Sequence, residues 1–250
     1  MTPPVYPRLP IADQNALLAR IVERCRPVPG QPVPVVVFDL DGTLMDNRPR
    51  TVVILQELAQ ELRAEAHNAA ETLAATRSEE LAYLLGDSLR KLGVEHPELL
   101  ARAESFWKSR FFSDDYLKHD IAIAGSVAFA RACYDAGAVI VYFTGRDLPL
   151  MGLGSFQSLR DLGYPIGVVG TELVCKPDAK IPDEQFKRAE GPKIARVGKI
   201  VAAFDNEPGN CNAFLEMAPD SEVVFVDTQH LPGAPALHPG VHVVGDFRMG

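Results

Sequence analysis

The chain has 250 residues, is 47% hydrophobic and carries a formal net charge of -8. That length holds one α/β core with a small second domain, and the acidic, interspersed charge excludes the basic footprint of a nucleic-acid or anionic-membrane partner. Cys25, Cys133, Cys175 and Cys211 stand far apart with no Cys-x-x-Cys pair, which excludes a zinc ribbon or a disulfide framework.

The opening Met-Thr-Pro-Pro-Val-Tyr-Pro lacks the charged and apolar regions of a signal peptide. No apolar run reaches the roughly 18 residues of a membrane span, so a soluble, cytoplasmic protein with a small-molecule partner is expected. Residues 1–34 read as an N-terminal extension: a Pro-rich start, one amphipathic helix over 11–26, and a Pro-rich link over 27–34. Val35 to Phe38 is a β-branched, fully buried strand. It breaks into Asp39-Leu-Asp41-Gly42-Thr43, two carboxylates one residue apart at the end of a strand, where open α/β sheets place their ligands. Two acids so close are a costly pair unless a cation or proton relieves them.

Residues 46–120 carry helical periodicity with no strand signal. Ile54 to Leu73 and Leu81 to Leu92 keep apolar residues on one face, Gly93 stops the second stretch, and Pro97 opens a third that bears Phe106 and Trp107. Arg63, His67, Arg77 and Trp107 read as solvated helix face or core. Residues 121–136 read as a helix stopped by Gly137. A second buried strand, 138–143, delivers Thr144, Gly145 and Arg146 to the sheet edge, a set able to hold phosphoryl oxygens. A helix over 155–162 and a third strand over 166–169, extending toward 174, follow. Lys176, Lys187 and Lys193 lie beyond, and the strand 199–204 ends in Asp205-Asn206-Glu207. Asn210 reads as the cap of the next helix. Strands at 222–226 and 241–244 close the chain, with His230 and His238 on the surface. The alternation of strands and helices makes the fold class α/β, a doubly wound, Rossmann-like parallel sheet. On such a sheet Asp39, Asp41 and Asp205 converge into a hard-oxygen site suited to Mg²⁺.

Val35 to Leu44 resembles the first motif of the haloacid dehalogenase-like (HAD) superfamily of phosphohydrolases, a hydrophobic strand followed by Asp-x-Asp-Gly-Thr. The resemblance implies a core of residues 35–45 and 121–250 with residues 46–120 as a helical cap over the active site. It assigns Asp39 as nucleophile and Asp41 as general acid/base. Thr144 matches the second motif and becomes a phosphate ligand, with Gly145 and Arg146 in the same substrate-binding turn. The third motif is one lysine on a helix before the fourth motif's strand. Lys187 fits it best, with Lys176 and Lys193 as alternatives. Asp205 matches the fourth motif as a ligand of Mg²⁺, alongside Asp39 and the carbonyl of Asp41. Where the family carries a second acid this chain has Asn206, then Glu207, leaving the orienting role open between them. The implied activity is Mg²⁺-dependent hydrolysis of a phosphate monoester of a small metabolite through an aspartyl-phosphate. A phosphomutase on the same site and a catalytically silent phosphate-binding protein are the alternatives. A dehalogenase has no use for the second acid, Asp41. Nothing in the sequence specifies an oligomeric state.

Overall fold

The computed structural model describes residues 6–249. The first helix, α1 (Ile11–Arg24), buries Leu17, Leu18 and Ile21 against the sheet. Strand β1 (Pro34–Phe38) is buried along its whole length. Its side chains alternate between two apolar layers, Val36 and Phe38 facing one and Val35 and Val37 the other, as a parallel strand covered on both faces requires. A two-residue strand, β2 (Met45–Asp46), then leads the chain out of the sheet.

The helical insert follows: α2 (Arg48–Leu62), α3 (His67–Ala75), α4 (Leu85–Lys91) and α5 (Pro97–Phe111), with 3₁₀ turns at Ser78–Glu80 and Asp114–His119. Its own apolar core is Leu55, Leu58, Leu62, Leu73, Leu89 and their neighbours. The continuous apolar stripe expected from Ile54 to Leu73 is broken between Leu62 and His67, so two helices stack on each other. Leu81 and Leu84 precede α4 rather than belonging to it. The chain returns through β3 (Ile121–Ala122), which pairs antiparallel with β2, Met45 opposite Ala122. Residues 121 and 122 were expected to start a helix. Pairing with β2 claims them instead, and α6 (Ser126–Ala136) begins four residues later.

Strand β4 runs over Val139–Asp147, α7 over Leu148–Leu162, and β5 over Thr171–Lys176. The expected strand at 166–169 is a turn. Gly167 and Gly170 take φ of 72° and 85°, reversing the chain on either side of Val169, which is 96% exposed. Helix α8 (Asp183–Glu190), β6 (Lys199–Asp205), α9 (Pro208–Met217), β7 (Glu222–Val226) and β8 (His242–Val244) complete the molecule. The main sheet has strand order β5-β4-β1-β6-β7-β8, with all pairings parallel. After β5 the chain crosses to the other side of β1, so the carboxyl ends of β4, β1 and β6 lie side by side at a topological switch point. Among the described residues no helix is long and apolar enough to cross a membrane.

Candidate active site

The backbone N–H of Asp39 donates to the carbonyl of Phe204 at 3.0 Å, which carries the β1–β6 ladder one residue past the strand and sets Asp39 beside Asp205. Both carboxylates are buried, and the Lys187 ammonium lies between them, 2.7 Å from Asp39 Oδ1 and 2.6 Å from Asp205 Oδ2. Helix α8 delivers that lysine because the preceding Phe186 packs on Phe143 of β4, ring centroids 5.1 Å apart. The three candidate lysines therefore occupy different places. Lys176 donates to the carbonyl of Ile181 at 3.0 Å and pairs with Asp183 at 2.5 Å, fastening β5 to the start of α8. Lys193 pairs with Glu190 on the exposed surface. Only Lys187 reaches the paired acids.

Asp205 Oδ1 accepts from the backbone N–H of Glu207 at 2.9 Å and from Asn210 Nδ2 at 3.1 Å. Asn210, expected to cap α9, instead lies inside that helix and orients Asp205. Asn206 takes Thr43 Oγ1 at 3.1 Å and donates to the carbonyl of Gln229 at 2.6 Å, tying two loops together. Gly42 lies against it with φ 79°, and a Cβ there would stand 2.3 Å from Asn206 Nδ2. A larger residue at position 42 would push Asn206 aside and strain the left-handed backbone. Glu207 accepts from the N–H of Leu231 with both oxygens, at 3.1 and 3.2 Å, and lines the cleft together with Tyr83 of the insert. Burial pushes the Glu207 carboxyl up to about 7, against the lowering effect of the Leu231 N–H.

Asp41 faces different partners. Arg146, at the end of β4, binds it in a fork, Nε to Oδ2 at 2.6 Å and Nη2 to Oδ1 at 2.9 Å. Arg50 of α2 adds Nη2 to Oδ1 at 2.9 Å, and Asn47 Nδ2 donates at 3.1 Å. Both arginines also bind Asp120, just before β3, at 2.5 Å from Arg50 and 2.7 Å from Arg146. Burial alone would raise the Asp41 carboxyl, but the guanidinium groups of Arg146 and Arg50 outweigh it and hold it well below the usual carboxylate range. For Asp39 the balance runs the other way. Burial drives its carboxyl up, the Lys187 charge opposes it, and the charges of Asp205 and Asp41 push it further up.

Thr144 is buried beside this group, its Oγ1 accepting the backbone N–H of Arg146 at 3.2 Å. Gly145 backs onto the Asp183 carboxylate, which comes within 2.2 Å of where a Cβ would stand. Together these residues floor a cleft of about 1090 Å³ whose opposite wall is formed by Tyr83, Trp107, Phe111 and Phe112 of the insert. Among the described residues no three His, Cys, Asp or Glu side chains are grouped as a metal cage. The expected carboxylate trio is not assembled, because the Asp41 side chain is committed to arginines. What remains is a pair of carboxylates, Asp39 and Asp205, sharing one ammonium and short of positive charge.

Sequence reasoning missed Arg50, Asp120, Asn47 and Tyr83. Arg50 carried a signal: it falls four residues before Ile54 and eight before Leu58, a charged residue on the stripe that helical spacing reserves for apolar ones. Asp120, Asn47 and Tyr83 carried none.

The haloacid dehalogenase-like hydrolase family model matches residues 33–212. A comparison with curated proteins found no match. Among solved structures, one similar fold is that of a protein from Clostridium difficile provisionally described as a phosphatase. It is 12% identical with a TM-score of 0.55, over 85% of this chain and 94% of that one. Another is the Protein Tyrosine Kinase A of Mycobacterium tuberculosis, 14% identical with a TM-score of 0.54, over 86% of this chain and 94% of that one. At such identities the two structures speak to the fold alone. The family match covers well over half of the chain and takes in the strand ends that carry Asp39, Thr144 and Asp205 together with Lys187, so the chain belongs to the haloacid dehalogenase-like hydrolases.

Proposed function

We propose that the protein is a Mg²⁺-dependent phosphohydrolase that removes phosphate from a monoester of a small metabolite through an aspartyl-phosphate on Asp39. The observation that carries this reading is the buried Lys187, 2.7 Å from Asp39 and 2.6 Å from Asp205 at the carboxyl ends of adjacent strands. A lysine so placed neutralises part of the charge that gathers when a phosphate approaches a carboxylate nucleophile.

The donors suit a hard cation. Asp39 and Asp205 are buried oxygen ligands with one ammonium between them, two carboxylates to a single positive group. Asp39, Asp205 and the backbone carbonyl of Asp41 would hold Mg²⁺, which when bound supplies charge neutralisation between phosphate and nucleophile.

A carboxylate oxygen of Asp39 attacks phosphorus, and the bond from phosphorus to the ester oxygen breaks. Asp41 gives its proton to that leaving oxygen. Water then attacks phosphorus and passes its proton to Asp41, and the bond from phosphorus to Asp39 breaks, releasing inorganic phosphate. Thr144 and Lys187 bind the equatorial phosphoryl oxygens throughout. Arg146 and Arg50 hold Asp41 as a carboxylate, the form that receives the proton from water. Proton donation in the first step needs the acid form, and so needs Asp41 to part from an arginine. Arg50 comes from the insert and Arg146 from the core, so Asp41 is held from both parts of the molecule.

Phosphate release from p-nitrophenyl phosphate, with Mg²⁺ and with chelator, tests the reading in wild type and Asp39→Asn. Metal-dependent release lost in the variant is expected. Release that survives Asp39→Asn, or that ignores the chelator, overturns it. Transfer of the phosphoryl group to a second substrate hydroxyl, rather than to water, would make the protein a phosphomutase.

A further inference from the structure

We propose that the cleft holds a subsite for a planar, uncharged aromatic leaving group, formed by Trp107, Phe111 and Phe112; the inference rests on the phosphohydrolase reading and names its substrate class. Trp107 stacks on Phe111 with ring centroids 4.3 Å apart and planes inclined by 26°. Phe112 stands edge-on to both, at 5.7 and 5.1 Å. All three border the cleft that contains Asp39 and Asp41.

The position of this cluster ties it to the leaving group. The Arg50 guanidinium lies over the Phe111 ring at 4.2 Å, and its Nη2 is 2.9 Å from Asp41 Oδ1. One side chain therefore separates the rings from the residue that serves the leaving oxygen. The nucleophile Asp39 and its lysine are tied to β6, whereas Asp41 is bound from β4 and the insert by Arg146 and Arg50. A substrate whose phosphorus meets Asp39 and whose ester oxygen meets Asp41 extends its remaining body toward Trp107 and Phe112.

Packing of the insert accounts for Trp107 but not for Phe111 and Phe112. Trp107 packs against the insert's aliphatic core, but neither Phe111 nor Phe112 belongs to that core or packs on it. Phe112 is 40% exposed, and Tyr83 and Leu84, which line the same cleft, are each 42% exposed. Large aromatic faces left open in a cleft gain most from covering by another ring, in offset or edge-on contact. Trp107 is fixed for that role, since its Nε1 donates to Thr51 Oγ1 at 3.0 Å and orients the indole.

Charge around the rings argues for a leaving group without a second anion. The acids Asp46, Asp87 and Glu104 border the cleft along with the bases Arg48, Arg90 and Lys108. Arg48 pairs with Asp46 at 2.7 Å, and Arg90 with Asp87 at 3.1 Å. The positive groups are thus matched in number, and two of the three are already paired.

Trp107 is the single tryptophan of the chain, so its emission reports on this subsite directly. The experiment titrates full-length Asp39→Asn protein, which does not turn the esters over, with phenyl phosphate, a nucleoside monophosphate, glycerol phosphate and a hexose phosphate. The two aromatic esters are expected to change Trp107 emission saturably and to bind more tightly than the other two. Which of them binds better tells a single ring from a base carried on a sugar. Phe112→Ala should weaken the aromatic esters by about 2- to 12-fold and leave glycerol phosphate unchanged, with Phe112→Tyr restoring the affinity. Equal or tighter binding of the hexose or glycerol ester, no binding of any ester, or aromatic binding indifferent to Phe112→Ala overturns the subsite. The same four esters are given to the wild-type protein in a phosphate-release assay. No release there, with aromatic binding intact in Asp39→Asn, would sink the hydrolase reading and leave the subsite standing.

Discussion

Two pairs of acids stand at the carboxyl edge of the sheet, and they are neutralised in opposite ways. Asp39 and Asp205 share one lysine, all three groups coming from β1, β6 and α8 of the core. Asp41 and Asp120 share two arginines, one from β4 and one from the insert helix α2. The first pair keeps a net negative charge at the bottom of a cleft, the second is balanced. A deficit of cation suits a place where a cation and a phosphate come and go, whereas a balanced, forked network suits a place where geometry must be held. The difference separates a site short of positive charge from a balanced one that fixes the side chain of Asp41.

The largest expected effect tests the first pair. Asp39→Asn should lower phosphate release by about 10³-fold or more, as removal of a covalent nucleophile does, with circular dichroism to show the fold intact. Activity retained at a tenth of wild type would remove Asp39 from the chemistry. Next in size, Lys187→Met leaves two buried carboxylates without their ammonium and should cost about 3–5 kcal/mol in urea unfolding with chelator present. Saturating Mg²⁺ should return part of that stability, because a ligand bound only by the native state adds about 2.7 kcal/mol at a hundred times its dissociation constant.

Arg50→Met probes the second pair and should cost about 3 kcal/mol, since Arg146 still serves both acids. Mg²⁺ should not recover this loss, so equal rescue of Lys187→Met and Arg50→Met would erase the distinction between the pairs. Asn206→Asp restores the acid usual in the family but removes the amide donor to the Gln229 carbonyl, at about 1–3 kcal/mol. A neutral or stabilising result would show that Asn206 does not tie those loops. The smallest change is Arg188→Ala, which breaks exposed pairs with Glu184 and Glu216. It should stay within about 0.5 kcal/mol, and a larger loss would mean that solvent-exposed charge matters here as much as the buried pairs.

The lysine-bound pair was legible in the sequence; of the arginine-bound pair only Asp41 was. Asp39 and Asp205 each follow a run of β-branched or small apolar residues, so their place at a strand end can be read from local pattern. Arg50 and Asp120 come together across 70 positions of sequence, through a β2–β3 pairing only two residues long on each side. The apolar run Ile166 to Val169 misled for a related reason: its composition is that of a strand, but the glycines around it turn the chain before any ladder forms. Asn210 sits where a cap is expected and is drawn inward by Asp205.

By itself the sequence determined the α/β class, the parallel core and the edge at which its acids gather, because burial on both faces of a strand imposes continuous apolar runs and their ends are sharp. It also determined the helical character of residues 46–120, because an amphipathic stripe is a local property. Tertiary structure alone decided which of three lysines meets Asp39 and Asp205, that Asp41 is clamped by Arg50 and Arg146, and that Trp107 and Phe112 open onto the cleft. Each of those outcomes depends on how separate elements dock: α8 through Phe186 on Phe143, and the insert through Arg50 and Asp120. Docking sums many weak contacts between residues far apart in the chain, and no local spacing records it.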